Sequence, residues 1–188
     1  MDKTRPLPDR TRVALFNMLS GHLEGQSVFD AFAGTGSFGL EAVSRGAAQC
    51  VFVERDREVL AVLRRNIEAL GAGGQCEVFF GDALGAGALS RVPRPVHVIM
   101  FDPPFEMMQE AASRGRTLGQ FARLAALLDD TGFAILRTPW PFVDRVPRAD
   151  RPEVLDRVPI DLRVPGAAGP ETHAYGSSAL HWYMKKKA

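Results

Sequence analysis

Two short stretches hold residues whose types and spacing could do chemistry. The first is Asp102-Pro103-Pro104-Phe105, directly after the apolar run "VIMF". Two consecutive prolines fix φ and remove two N–H donors, making a stiff corner that leaves carbonyls free to accept. A carboxylate and an aromatic ring are held at fixed positions around that corner. The second stretch is "VFDAFAGTGSFG", residues 28–39, where Gly34, Gly36 and Gly39 form a G-x-G-x-x-G pattern. Such a pattern ends a strand in a turn that brings backbone close to a ligand, then opens a helix whose amides point at it. Nucleotides of several kinds satisfy it, and so does a purely structural β–α turn.

Three carboxylates narrow the ligand. Asp30 lies in the run before the glycines. A dinucleotide pyrophosphate would be repelled there, whereas a cationic ligand, such as the amino-acid part of S-adenosylmethionine (SAM), would be welcomed. Glu54 ends the second apolar run, placed to accept from ribose hydroxyls, a feature that nicotinamide enzymes share. Asp82, in "FFGDAL", ends the third, where a carboxylate could reach an adenine amino group. The bland reading of Glu54 and Asp82 is loop solvation or helix capping. No metal is expected, because His22, His97, His173 and His181 have no ligand-like spacing. Cys50 and Cys76 form no C-x-x-C, and each reads as a small buried residue in a reducing compartment.

The elements that must position these residues follow from periodicity. "SVFDAF" (27–32), "CVFVE" (50–54), "CEVFF" (76–80), "VHVIMF" (96–101) and "GFAILRT" (132–138) are predicted strands, apolar enough to be covered on both faces. Helical patterns separate them. Residues 37–46 follow the glycines and stop at Gly46. In 56–70, Asp56 is the predicted N-cap, and Val59, Leu60, Leu63, Ile67 and Leu70 share a face before Gly71. Residues 106–128 form a further helix. Residues 9–20 form another, with Asp9 as cap and Val13, Phe16 and Leu19 at core spacing. The alternation predicts a doubly wound α/β sheet.

The segment 139–165 carries six prolines, and its five arginines are matched by five acidic residues, so it reads as loop and edge strand rather than a basic arm. "SSALHWYMKK" (177–186) reads as a last strand. The 188 residues suit a single domain, with an N-terminal helical segment (1–24), a cofactor-binding and catalytic core (25–138) and a closing region (139–188). The formal net charge of +1 gives no global field for nucleic acid, so any attraction must be local. No apolar run approaches a membrane span and nothing resembles a signal peptide, which points to a cytoplasmic chain.

Asp-Pro-Pro-Phe fits the (Asp/Asn/Ser)-Pro-Pro-(Tyr/Phe) motif of SAM-dependent methyltransferases acting on exocyclic or amide nitrogens. With "DAFAGTGSFGLEAVSRGA", the chain most resembles the RsmD-type family, which methylates guanine N2 in small-subunit ribosomal RNA. The resemblance covers "RPLPDRTRVALFNML" (5–19), "VFVERD", Asn66 and the closing aromatic strand. It departs at Ala14, where the family commonly carries Glu, and in having only "MDKT" where members usually place a basic hairpin. It implies the class I fold: a mainly parallel sheet of about seven strands, the last antiparallel.

The resemblance also implies roles. Asp102 and the Pro103 carbonyl would accept the two amine hydrogens, with Pro104 stiffening the corner and Phe105 stacking on the base. Asp30, Ala33, Gly34 and Gly36 would frame the methionine end of SAM, Glu54 the ribose, and Asp82 with Ala83 the adenine. Arg10 and Arg12 would contact RNA phosphates or solvate a helix end. The implied partner is ribosomal RNA or the small-subunit particle. Other readings are an amino-methyltransferase for DNA adenine or protein glutamine, a non-catalytic SAM-fold binding protein, and a nicotinamide oxidoreductase. The last gives Asp102-Pro-Pro-Phe no role.

Overall fold

Side-chain alternation along the central strands decides the architecture. The computed structural model describes residues 9–186; the Arg5–Pro8 part of the N-terminal motif lies outside them. Strands β1 (Ser27–Asp30), β2 (Gln49–Glu54), β3 (Cys76–Phe80), β4 (Val96–Phe101) and β5 (Leu128–Pro139) pair in parallel, and their order is β3-β2-β1-β4-β5. Val28, Phe52, Val98, Met100 and Ile135 face one side. There they meet Leu15, Phe16 and Leu19 from helix α1 (Asp9–Met18) and the segment after it, Phe38 of α2 (Ser37–Ser44), and Leu63 and Ile67 of α3 (Arg57–Ala69). Phe29, Val51, Ile99, Phe101 and Leu136 face the other side. They pack with Ala88 of α4 (Ala86–Ser90) and with Phe121 and Leu124 of a later helix. Successive residues thus feed two separate cores, and this is why the strands read as unbroken apolar runs.

The helix expected over 106–128 is two: α5 (Glu106–Gln109) and α6 (Ala111–Ala125), broken at extended Glu110, while Leu128 already begins β5. Asp56 caps α3 as expected, its Oδ1 accepting from the Glu58 and Val59 N–H groups at 2.9 and 3.2 Å. Leu70, however, is 65% exposed because it sits beyond the last turn. In α1, Val13 points to solvent at 57% exposure, and Thr11 and Leu15 take the core positions beside Phe16. Asp9 is the first described residue of that helix; among the described residues its carboxylate makes no capping bond and accepts from Arg12 Nη2 at 3.0 Å. Cys50 is buried as expected, whereas Cys76 is only half-buried.

Beyond β5 the last strand falls where expected, while the segment read as loop and edge strand is organised as a hairpin. Residues 139–165 contain a hairpin, β6 (Val143–Pro147) with β7 (Leu155–Pro159), which forms a two-stranded sheet of its own. Pro147 and Pro159 stand at strand ends, where no ladder N–H is lost. Strand β8 (Ala167–Tyr175), which has no clear signal in the sequence, is the outer strand of the main sheet. Its irregular register between Ala168 and Glu171 spans Gly169-Pro170. The last strand, β9 (Ser178–Lys185), lies antiparallel between β5 and β8, completing seven strands in the order β3-β2-β1-β4-β5-β9-β8. Strand order reverses between β1 and β4, and the crevice at their carboxyl ends is where ligands bind in such sheets.

Candidate functional site

Asp30 and Asp102 stand at that crevice: Asp30 closes β1, and Asp102 follows the last residue of β4, the adjacent strand. Asp30 is 2% exposed. The Gly39 N–H donates to its Oδ2 at 3.2 Å, and its other oxygen has no partner among the described residues. Burial pushes its carboxyl up to about 7, against the pull of the Gly39 bond and with help from the negative charges of Asp102 and Glu54. A buried carboxylate without a cation is a site that a cationic ligand would satisfy.

The glycine loop is held from two directions. Glu54 Oε2 accepts from the Gly34 N–H at 3.0 Å, and Oε1 accepts from the Arg55 and Asp56 N–H groups at 2.8 and 2.7 Å. From α3, Asn66 Nδ2 donates to the Thr35 carbonyl at 2.9 Å. Gly36 has φ +90, and a Cβ there would come within 2.5 Å of Leu63 Cδ1. Gly39 lets α2 lie on β2, since a Cβ would run into the Phe52 ring and sit 2.6 Å from Cys50 Sγ. Gly34 adopts φ +55 but faces open space, with nothing within 4 Å of where a Cβ would be. That space is bordered by buried Ala33, whose carbonyl accepts from the Gly36 N–H at 2.8 Å.

At the second stretch the corner is built as expected, with one addition. No donor among the described residues reaches the Pro103 carbonyl, whereas the Pro104 carbonyl is taken by the Met107 N–H at 2.9 Å. The addition is Arg137, from β5. Its Nη1 donates to both oxygens of Asp102, at 3.1 and 2.9 Å, and its guanidinium lies 5.0 Å from the centre of the Phe105 ring. Arg137 is 6% exposed, and its Nε is buried with no partner. Burial raises the Asp102 carboxyl above the usual carboxylate range while the Arg137 charge and hydrogen bonds hold it down. The only sequence signal for Arg137 was a charged residue inside an apolar strand, "AILRT".

Asp82 is exposed, and its Oδ1 accepts from the Leu84 N–H at 2.9 Å within the loop before α4, whose N-cap is Gly85, so this bond shapes the loop and does not cap the helix. Ala83 is 4% exposed, and Gln120 of α6 fixes the loop by donating to the carbonyls of Ala83 and Gly85 at 3.0 and 3.3 Å. Asp82 also borders a cavity of about 780 Å³ that runs along α6. Arg10 and Arg12 stand apart from this assembly. Arg12 is paired with Asp9 at 3.0 Å, and neither arginine bonds to the corner or the glycine loop among the described residues.

A family described as "Conserved hypothetical protein 95" matches residues 1–133. The chain belongs to that family. Among its relatives, this Conserved hypothetical protein 95 member is 39% identical over 101 residues to the Ribosomal RNA small subunit methyltransferase D of Escherichia coli, covering 54% of this chain and 50% of that one. The chain spans about half the length of the curated relatives it matches. A solved structure of a hypothetical protein from Thermus thermophilus is 28% identical with a TM-score of 0.66, covering 97% of this chain and 89% of the other. An RNA methyltransferase from Salinibacter ruber, solved with S-adenosyl-L-homocysteine, is 13% identical with a TM-score of 0.61 over 98% and 96% of the two chains, and shares the fold. The resemblance to the RsmD-type family and the class I fold expectation are both borne out.

Proposed function

We propose that the chain is a SAM-dependent methyltransferase acting on an exocyclic amine, guanine N2 of small-subunit ribosomal RNA. The observation that carries this is the pairing of two acidic groups across the strand-order reversal. Among the described residues, Asp30 is buried without a cation beside an open glycine turn, and Asp102 is fixed beside a Pro103 carbonyl that receives no hydrogen bond. The Escherichia coli relative is named for ribosomal RNA methylation, and the Salinibacter ruber protein of the same fold carries the demethylated cofactor.

The residues fit SAM, which when bound would supply an electrophilic methyl group on a cationic sulfur. Asp30 would face the ammonium of its methionine end across the turn at Ala33, Gly34 and Gly36. Glu54 would take ribose hydroxyls, sharing its oxygens with the Gly34 N–H. Asp82 and Ala83 would border the adenine. An amine conjugated to a purine is a poor nucleophile because its lone pair is delocalised into the ring. Asp102 and the Pro103 carbonyl would accept its two hydrogens and tilt the lone pair towards the methyl, and such alignment can supply several kcal/mol. Arg137 fixes the orientation of this carboxylate and favours its ionised form against the burial that raises its carboxyl, so it would suit positive charge developing on nitrogen. Phe105 would stack on the extruded base with the face that Arg137 leaves free.

The test is transfer of radiolabelled methyl from SAM to unmodified small-subunit particles, free ribosomal RNA, DNA and protein. Label recovered as N2-methylguanosine supports the proposal. Label in adenine or glutamine replaces the substrate, and no label anywhere with SAM bound makes the chain a binding protein.

A further inference from the structure

The cavity bordered by Asp82 begins at Met107, just past the Pro-Pro corner, and continues along one face of α6. Arg55, from the turn after β2, and Arg116 and Arg123, two helical turns apart on α6, line it. All three are exposed, and none forms an ion pair among the described residues. Their one acidic neighbour in the lining, Asp82, already accepts from the Leu84 N–H.

Two glycines make the face unusual. Gly115 and Gly119 lie one turn apart inside α6 and line the same cavity, yet a Cβ on either would meet nothing within 4 Å, and neither has a positive φ. Glycine is among the least favourable residues in a helix interior. Neither conformation nor packing within the chain calls for it here, so the bare backbone leaves room for something outside the chain to lie close. SAM does not explain the arginines. Its single anionic group is the carboxylate of its methionine end, which the Asp30 turn would frame, whereas this cavity adjoins the adenine end.

We propose that this cleft binds the sugar–phosphate backbone of the RNA substrate, with Arg55, Arg116 and Arg123 on phosphates and the Gly115–Gly119 face against the strand. The proposal rests on the methyltransferase reading above and adds the path by which the strand reaches the corner. It also accounts for a chain of net charge +1 holding a polyanion, since the positive charge is gathered beside the site.

The experiment measures binding of a fluorescein-labelled single-stranded oligoribonucleotide to the full chain across a series of KCl concentrations. Each phosphate contact on a single strand contributes about 0.7 to the slope of log affinity against log salt. The variant carrying Arg55→Gln, Arg116→Gln and Arg123→Gln is expected to lose about 2 from that slope and to bind at least tenfold more weakly at low salt. Its SAM affinity should stay within twofold, which also reports that it is folded. Arg64→Gln, an exposed arginine on α3 outside the cleft, is the charge control and should change neither. Gly119→Leu should weaken RNA binding severalfold while raising the melting temperature, an outcome that a purely structural role for the glycine would not give. If the unaltered chain binds RNA with a slope that the triple variant leaves unchanged, the cleft is overturned and the methyltransferase reading stands. If the unaltered chain binds no RNA, the cleft is overturned and the methyltransferase reading is decided by the transfer assay; if it transfers methyl only to DNA or protein, the cleft is overturned and the reading keeps its chemistry with another substrate.

Discussion

Asp30 sits in an environment far from that of solution. Its carboxyl is raised from 3.8 to about 7 because burial removes water and leaves one N–H bond in its place. The folded chain therefore holds this proton where the unfolded chain has released it. Stability from this group falls as pH rises from 3.8 towards 7, by roughly 4 kcal/mol at most. A cationic ligand reverses the penalty. SAM affinity is expected to climb as pH rises through about 7 and then level off. Asp30→Asn should flatten both profiles in thermal melts and in calorimetry, and a wild-type affinity independent of pH would remove Asp30 from the cofactor site. Asp102→Ala should leave SAM affinity within a few-fold while methyl transfer falls by orders of magnitude; equal loss of both would make Asp102 a structural or cofactor residue. Arg137→Gln removes the one cation that holds the Asp102 carboxyl down. The rate should then fall most at low pH and recover partly as pH rises, with little change in SAM affinity. A uniform loss at every pH would mean that Arg137 only supports the fold.

At the scale of elements, the glycine turn works because three neighbours fix it: Glu54 from β2, Asn66 from α3, and the close seat of α2 on β2 at Gly39. Gly39→Ala places a methyl group against the Phe52 ring and Cys50 Sγ, both fully buried and unable to withdraw. Overpacking of this kind costs about 1–3 kcal/mol. A melting temperature lowered by several degrees is the expected result, and an unchanged one would show that α2 can lift off the sheet. The same sequence patterns placed α3 and the central strands correctly, because both faces of each strand and one face of that helix are buried in the way periodicity assumes. They failed for Val13, since α1 presents Thr11, Leu15 and Phe16 to the core, and a ten-residue helix offers more than one plausible face.

At the scale of the whole molecule, the seven-stranded sheet and the β6–β7 hairpin are separate constructions. Every residue of the two hairpin strands is exposed or half-buried, and the hairpin is tied down by Phe142 and by Arg114, whose Nη2 donates to Asp144 at 2.7 Å. Arg114 also donates to the carbonyls of Met108 and Gln109, so it keeps partners if the hairpin is removed. Replacing residues 144–158 with an Asn-Gly turn should leave the melting temperature within a few degrees and SAM affinity unchanged. A large fall in either would show that the hairpin supports the sheet.

The chemistry-bearing residues were legible because their identity carries the constraint. A proline pair fixes a corner wherever it falls, and glycines at that spacing after an apolar run mark a tight β–α turn, whether it faces a ligand or is structural. The five parallel strands were legible as near-continuous apolar runs alternating with helical patterns, although no pattern marked α4 between β3 and β4. Strand β8 and the hairpin were not, because their residues are mostly exposed and interrupted by proline and glycine, so no burial period marks them. Nor was the partner of Asp102. Arg137 lies 35 residues further along the chain, and only the parallel pairing of β4 with β5 brings the two together. The sequence by itself determined which groups are present and how stiffly each is mounted. Tertiary structure decided which charges face one another, because burial and a neighbour across a sheet depend on contacts between residues distant in the chain.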